Sequence, residues 1–566
     1  MKRFTFSWMR NFVVLLILVL PVLVFAQDDK PLAPVTRTYA ITNVNIIQAP
    51  GRKVDMGTVL IKDGIIKSVG KNISIPADAI VIKADSMYVY AGFIDGLSRA
   101  GVVKPKEENN RERPKDPGNP TPERAGITPQ NDVRNSLDIN EKSIEEMRSI
   151  GFTTAHVVPY GGMLPGAGSI VLLGGQSADH MVLSPKVSFY SELSPAQRVY
   201  PATVIGVMAK FRELYRQASL SKNYETLYAS NRNGLERPAT DRVLEAFYPV
   251  IDKRSPVLFK SEKVLDIQRV LTLQNDLGFT LMLADVKEGW DVIPKIKAAN
   301  AKTFLSLDLP EEKKEEKKDD KAKKEEKPKS ITDLEKEALE KRKADFTAKY
   351  TAQPSTFQKA GITFGFSTLS AKSKDIPSNL RRMIAAGLTE DQALAALTTN
   401  PAQLLGLSDR LGTIDNGKMA NLVISDKPYF NEKAKVRYVF VDGVLYKQEV
   451  KEEKKGDKDG KKIEAKGSWS YSTETPQGTN TGKIKLKNDG GTYSGIITSN
   501  MSDAETEMKD ISLDGNKLSF SFEYKMGTNT VKIDVSLTLD GDSFEGSMAV
   551  GTFGSFPMKG TKDPGL

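Results

Sequence analysis

Four side chains stand where strand ends would place chemistry. Asp95 and Arg99 lie in the run Ala91-Gly92-Phe93-Ile94-Asp95-Gly96-Leu97-Ser98-Arg99, Lys260 closes Pro256-Val257-Leu258-Phe259, and Asp285 follows an apolar run ending at Ala284. Paired carboxylates such as Asp95 and Asp285 could serve acid–base chemistry. Arg99 and Lys260, if both point into one mouth, suit a carboxylate or other anion. A plainer reading has Asp95 tie its own loop to backbone amides and pairs each cation with an acidic neighbour or with solvent.

Other chemistries are absent from the chain. It has no cysteine, which excludes thiol nucleophiles, disulfides, thiolate metal sites and a lipid-modified cysteine. It has 2 histidines, too few for a His-rich metal site. His156 falls in an expected strand and reads as a packed or hydrogen-bonded residue, and His180 reads as a surface residue. No Gly-x-Ser-x-Gly elbow and no phosphate-binding Gly-rich loop ahead of Lys-Ser/Thr occurs. Gly161-Gly162-Met163-Leu164-Pro165-Gly166-Ala167-Gly168-Ser169 is glycine-rich and follows a strand, but it lacks the dinucleotide-binding spacing.

The elements that must position these residues are legible in the apolar periodicity. From Thr38 to Ala91 short strands alternate with turns, among them Ala40 to Ile47, Gly57 to Lys62 and Ile65 to Val69, with Asp63-Gly64 as a hairpin signal. Met87 to Ile94 is apolar enough to be buried on both faces. Strand-like runs at Phe152 to Val158, Pro256 to Phe259, Phe279 to Ala284, Lys302 to Leu307 and Ile362 to Phe366 are separated by helix-length segments, including Glu141 to Ile150. That is the pattern of βα units, and eight of them would close a barrel. Thr389 with Gln392 forms a capping-box pattern before Leu394 and Leu397.

At 566 residues the chain is long enough for several domains. Lys2, Arg3 and Arg10 precede an apolar run from Phe12 to Phe25, which predicts a signal peptide over residues 1–26 and hence a periplasmic or extracellular protein, with no stable membrane insertion after cleavage. The net charge of +9 does not point to nucleic acid, because the lysines sit in mixed acidic and basic runs. Residues 311–329 are nearly all Glu, Asp and Lys and read as a solvated insertion or a flexible cover; 448–466 reads as a charged linker. Residues 467–566 carry short alternating strands, such as Leu518, Phe520, Phe522 and Tyr524, joined by Asn488-Asp489-Gly490, Asp514-Gly515-Asn516 and Asp540-Gly541-Asp542.

The run Gly92-Phe93-Ile94-Asp95, with the helical segment Ala386-Gly387-Leu388-Thr389 through Thr399-Asn400-Pro401-Ala402, resembles the amidohydrolase superfamily, and within it the imidazolonepropionase-like exported bacterial members. The resemblance spans roughly residues 38–447. It implies a multidomain α/β protein: a (β/α)8 TIM-type barrel over 92–407, a composite β-sandwich from 38–91 and 408–447, and a C-terminal antiparallel β-barrel or sandwich similar to lipocalin-like modules. It also implies zinc or another divalent metal, polarising a carbonyl and activating water. The segment from Gly161 to Ser169 would be a shaped loop over the barrel mouth.

The ligands the family would supply are replaced. Leu97 and Arg99 occupy the places of the first two histidines, Lys260 and Asp285 those expected after the fifth and sixth strands, and Leu369 that of the aspartate after the eighth. No metal cofactor is therefore expected. The favoured expectation is an amidohydrolase-fold protein that has lost metal-dependent hydrolysis and binds a small molecule or peptide, or partners an intact amidohydrolase in a homo- or hetero-oligomer. A second is a hydrolase of C–N bonds in cyclic amides or peptides using Asp95, Lys260 and Asp285. A third makes the C-terminal module the working part and the barrel its scaffold.

Overall fold

The computed structural model describes residues 37–106, 115–311, 331–448, 465–475, 478–490, 492–500, 502–526, 529–550 and 554–563. The expected signal peptide, and the charged insertion and linker apart from their ends, lie outside the described residues. Two compact units divide near residue 450.

The first unit begins with β1 (Thr38–Ala49), β2 (Arg52–Lys62), β3 (Ile65–Gly70), β4 (Ile80–Lys83) and β5 (Tyr88–Ala91). The β2–β3 hairpin turns on Asp63 and Gly64, both with positive φ, as the tight turn matching strand twist requires. Eight strands then form the barrel: β6 (Phe93–Ser98), β7 (Phe152–Val157), β8 (Gly166–Leu172), β9 (Val182–Glu192), β10 (Val257–Lys260), β11 (Leu281–Val286), β12 (Lys302–Ser306) and β13 (Phe364–Ser367), neighbouring one another in chain order. Finally β14 (Leu422–Ser425), β15 (Val436–Val441) and β16 (Val444–Lys447) return to the first sheet, where β14 pairs antiparallel with β5, Leu422 opposite Ala91. The N- and C-terminal segments thus make one continuous eight-stranded sheet. Its apolar side chains, including Ile41, Ile46, Val89, Leu422 and Phe440, share one core.

Not every barrel strand belongs to a βα unit. β8 runs antiparallel to both β7 and β9. The connections at 158–165 and 173–181 are shorter than the dozen or so residues that a parallel crossover needs, so the chain turns back on itself instead. The expected glycine-rich loop is therefore half strand: Gly166 to Ser169 lies in β8, and Gly168 sits under His156 and Ser188 where a side chain would not fit.

Elsewhere helices cover the outside of the barrel. They are α1 (Lys142–Ser149), α2 (Val204–Ser230), α3 (Val264–Leu277), α4 (Ile293–Ala298), α5 (Ile331–Lys359), α6 (Ile376–Ala385) and α7 (Glu390–Leu397), the last opened by the Thr389–Gln392 capping box. They pack on the outward residues of the strands, for example Phe259, Leu283, Leu305 and Phe366. Gln353 of α5 locks the outer layer by accepting from the Gly289 amide at 2.6 Å and donating to the Val286 carbonyl at 3.1 Å.

The second unit is a nine-stranded antiparallel near-barrel running from Gly467 to Lys562. Leu518, Phe520 and Phe522 point inward at every second position, with Trp469, Phe544 and Met558 in the same core. Gly490, Gly515 and Gly541 supply the positive φ of three of its turns.

Candidate functional site

The inward face of the barrel has two chemical layers, set by strand alternation. On β9, Tyr190 precedes Glu192; on β10, Leu258 precedes Lys260; on β12, Phe304 precedes Ser306; and Leu97 of β6 precedes Arg99 just past its end. Each first member belongs to one buried cluster along the axis, with Val158, Met282 and Ala284. Each second member lies one step nearer the mouth, two residues further along its strand.

The axial layer is filled by Phe304. Its ring packs against Gly96 of β6 and Gly365 of β13, and a methyl group added at Gly96 would overlap it. Leu97 and Phe304 are both fully buried. Burying side chains of this size contributes about 1.5–3 kcal/mol each, so the axis is a packed core and not a reaction chamber.

The mouth layer is ionic and internally paired. Arg99 donates to Glu192 at 2.8 Å, Tyr190 donates its hydroxyl to the same carboxylate oxygen at 2.8 Å, and the guanidinium lies 4.3 Å from the centre of the Tyr160 ring. Lys287 bridges Asp308 at 2.8 Å and Glu262 at 3.1 Å, while Lys260 stands 3.8 Å from Glu262. Burial would raise the Glu262 pKa, but Lys260 and Lys287 outweigh it and hold the carboxyl below its ordinary value. Burial would lower the Lys287 pKa, but Asp308, Asp285 and Glu262 hold it above the usual lysine range. Arg99 and Lys260 thus belong to separate ion-pair groups.

Asp285 sits in a bulge at the end of β11, with a left-handed φ of 57°. That conformation is uncommon for a residue with a side chain, though Asp tolerates it better than most. Its carboxylate accepts from Ser370 at 2.5 Å and from Ser367 at 3.3 Å. Burial raises its pKa, opposed by the Ser370 and Ser306 hydroxyls and by Lys287.

Asp95 performs a different task. β6 and β13 are the two ends of the barrel sheet and are joined by no ladder. The seam is closed by the Thr368 amide and the Ser367 hydroxyl, which donate to the Leu97 carbonyl at 3.2 and 3.1 Å. The fully buried Asp95 carboxylate accepts from the amides of Leu97 at 3.2 Å and Thr368 at 3.1 Å, and from the Thr368 hydroxyl. Burial outweighs these bonds and pushes its pKa up to about 7. Each carboxylate is thus occupied within the fold, Asp95 by two amides and a hydroxyl and Asp285 by the Ser367 and Ser370 hydroxyls.

The two histidines are apart from this machinery. His156 is fully buried on β7, with Nε2 2.8 Å from the Ser188 hydroxyl. Burial drives its pKa down to about 4, against a contact with the Gly96 backbone that raises it. His180 is exposed, its Nδ1 2.8 Å from the Ser177 hydroxyl.

The donor set does not fit a divalent ion. Leu97 offers no lone pair and is packed in the axial cluster, Arg99 is a fixed cation, and Leu369 packs against the same apolar group. Among the described residues no group of three or more His, Asp or Glu side chains is placed to hold a metal. Glu192, Glu262, Lys287, Asp308, Ser367 and Ser370, which build the mouth, were not singled out by sequence. Glu192 and Lys260 do share a signal, since each follows an apolar residue by two positions at a strand end.

A cleft of about 670 Å³ opens beside the mouth, between Ser98–Arg99, α1 and the segment after β13. Arg99 and Tyr160 form one wall, Met147 of α1 and Ile150 just after it another, and Lys372 and Lys374 the rim. Lys260 does not line it.

Residues 310–446 match the amidohydrolase family model. An amidohydrolase from Thermotoga maritima MSB8 is similar in structure, with a TM-score of 0.58 at 20% identity over 72% of this chain and 100% of that one. A putative prolidase from Bifidobacterium longum is similar at a TM-score of 0.42 and 14% identity, over 73% of this chain and 95% of that one. No curated protein matches the chain. Residues 310–446 thus carry the family's sequence pattern, and the barrel fold is shared with the amidohydrolase of known structure.

Proposed function

We propose that this protein is an exported amidohydrolase-fold protein that has lost metal-dependent hydrolysis and works by binding, with a small molecule or peptide as its ligand or an intact amidohydrolase as its partner. The observation that carries this is the packing of Leu97 and Phe304 across the barrel axis. An ion and its activated water need an open, polar position with fixed donors, and here the same space holds a leucine and a phenylalanine ring. The expected signal peptide supports export, and no helix among the described residues is long and apolar enough to cross a membrane.

Hydrolysis through Asp95, Lys260 and Asp285 has less support. Asp95 is sealed in the seam, and Lys260 pairs with Glu262 instead of either aspartate. Assays of dipeptides and cyclic amides, with zinc or manganese supplied, should show no turnover above buffer. Turnover abolished by Asp285→Asn would overturn the reading.

A further inference from the structure

With the axis filled, the cleft of about 670 Å³ beside the mouth is large enough for a small molecule, and its chemistry is specific. We propose that this cleft binds a small organic carboxylate and that Arg99 is the anchoring donor; the proposal rests on the binding-protein reading and names its ligand class.

Arg99 is already held in place. Glu192 takes one terminal nitrogen at 2.8 Å and the Tyr160 ring lies against the guanidinium, so little side-chain freedom remains to be lost when a ligand binds. Its Nε is enclosed and has no hydrogen-bond partner among the described residues. A planar guanidinium presents paired N–H groups that match the two oxygens of a carboxylate.

The rest of the cleft sets the ligand's shape. Lys372 and Lys374 are exposed at the rim and have no acidic partner among the described residues, so the approach is cationic. Met147 is buried and Ile150 half-buried on the α1 side, giving an apolar patch for an aryl or alkyl tail. The acids on that side, Glu141 and Glu146, repel an anion there and confine the carboxylate to the Arg99 end. Glu146 is itself occupied by Lys142 at 3.1 Å and by the Ser373 hydroxyl at 3.1 Å.

Benzoate is the probe, with benzamide as its uncharged counterpart of the same shape. Titration calorimetry on the full chain should show benzoate binding at least about tenfold tighter than benzamide, the difference that one charge-assisted pair produces. Arg99→Gln should weaken benzoate about tenfold, and Lys260→Ala should leave it unchanged. Glu192→Gln removes the competing carboxylate without touching Arg99 and should tighten benzoate severalfold, which separates loss of the donor from loss of the fold. Equal affinities for benzoate and benzamide, no benzoate binding to the wild-type protein, or binding that depends on Lys260 instead of Arg99 would each overturn the proposal. None of these outcomes touches the loss of metal chemistry, which metal titration decides separately.

Discussion

The axis of the barrel and its mouth lie a few residues apart along the chain and are built from opposite chemistry. At the axis, Leu97, Tyr190, Leu258, Met282 and Phe304 exclude water; at the mouth, Arg99, Glu192, Lys260, Glu262, Lys287 and Asp308 pair with one another. In a metal-dependent barrel, imidazole and carboxylate ligands would project from such positions and meet at an ion. Here the positions at the first strand are filled by a leucine that adds to the core and an arginine that adds to the ion pairs. The axial layer is apolar throughout, and the mouth layer is paired internally except at the Arg99 Nε.

If the axis is a packed core, disturbing it should cost more than anything done at the mouth. Gly96→Ala should be the most damaging single change, because the new methyl group overlaps the Phe304 ring. The double variant Gly96→Ala/Phe304→Leu should recover part of that loss, and urea denaturation of the single and double variants reads the coupling. Phe304→Ala alone should cost about 3–5 kcal/mol by the same measurement, since a rigid barrel cannot collapse onto the cavity. A cost below about 1 kcal/mol, typical of a surface site, would mean that the axis is not packed.

At the mouth, Lys287→Met should be the largest effect, because it leaves Glu262 and Asp308 facing each other without their shared cation. Its side chain is 21% exposed, so solvent screening brings the loss below that of a fully buried pair, to about 1–2 kcal/mol. Lys260→Met should cost about 0.5 kcal/mol or less, as expected for a pair separated by 3.8 Å and partly open to water. Equal losses for the two lysines would erase the distinction between a bridging and a peripheral cation.

The seam between β6 and β13 supplies a pH test. Asp95 has a folded pKa near 7, above the unfolded value of about 3.9, so the folded state holds the proton more tightly. Its contribution to stability is full below the unfolded pKa and is lost as pH rises through the folded one. Wild-type stability should therefore decline relative to Asp95→Asn between about pH 4 and pH 7. The amide oxygen of Asn can still accept from the Leu97 and Thr368 amides, so the variant keeps the seam while removing the titration. Parallel urea midpoints for the two proteins across that range would contradict the assignment.

Local signals in the sequence were strong enough to place many of the elements. The Asp63-Gly64 turn, the Thr389–Gln392 capping box and the alternation of Leu518, Phe520 and Phe522 each act within a few residues, and each is present in the structure. The antiparallel β8 was less legible, because its glycines suggested a loop and the shortness of its connections was the only contrary signal. The run at Phe93–Asp95 located β6. What fills the axis and the mouth could not be read in the same way. Phe304 looks like any apolar strand residue until the parity of β12 is known, and the partners of Arg99 and Lys287, Glu192 and Asp308, come from distant parts of the chain or from the next strand's end. The left-handed backbone of Asp285 has no sequence signature at all.

Metal titration tests the central claim most directly. The full chain, purified without chelator and dialysed, should contain no stoichiometric zinc or manganese by elemental analysis, and adding either ion should leave its thermal midpoint unchanged, because the axial layer offers Leu97 and Phe304 in place of ligands. One or more equivalents of metal that resist dialysis and raise the thermal midpoint would contradict it.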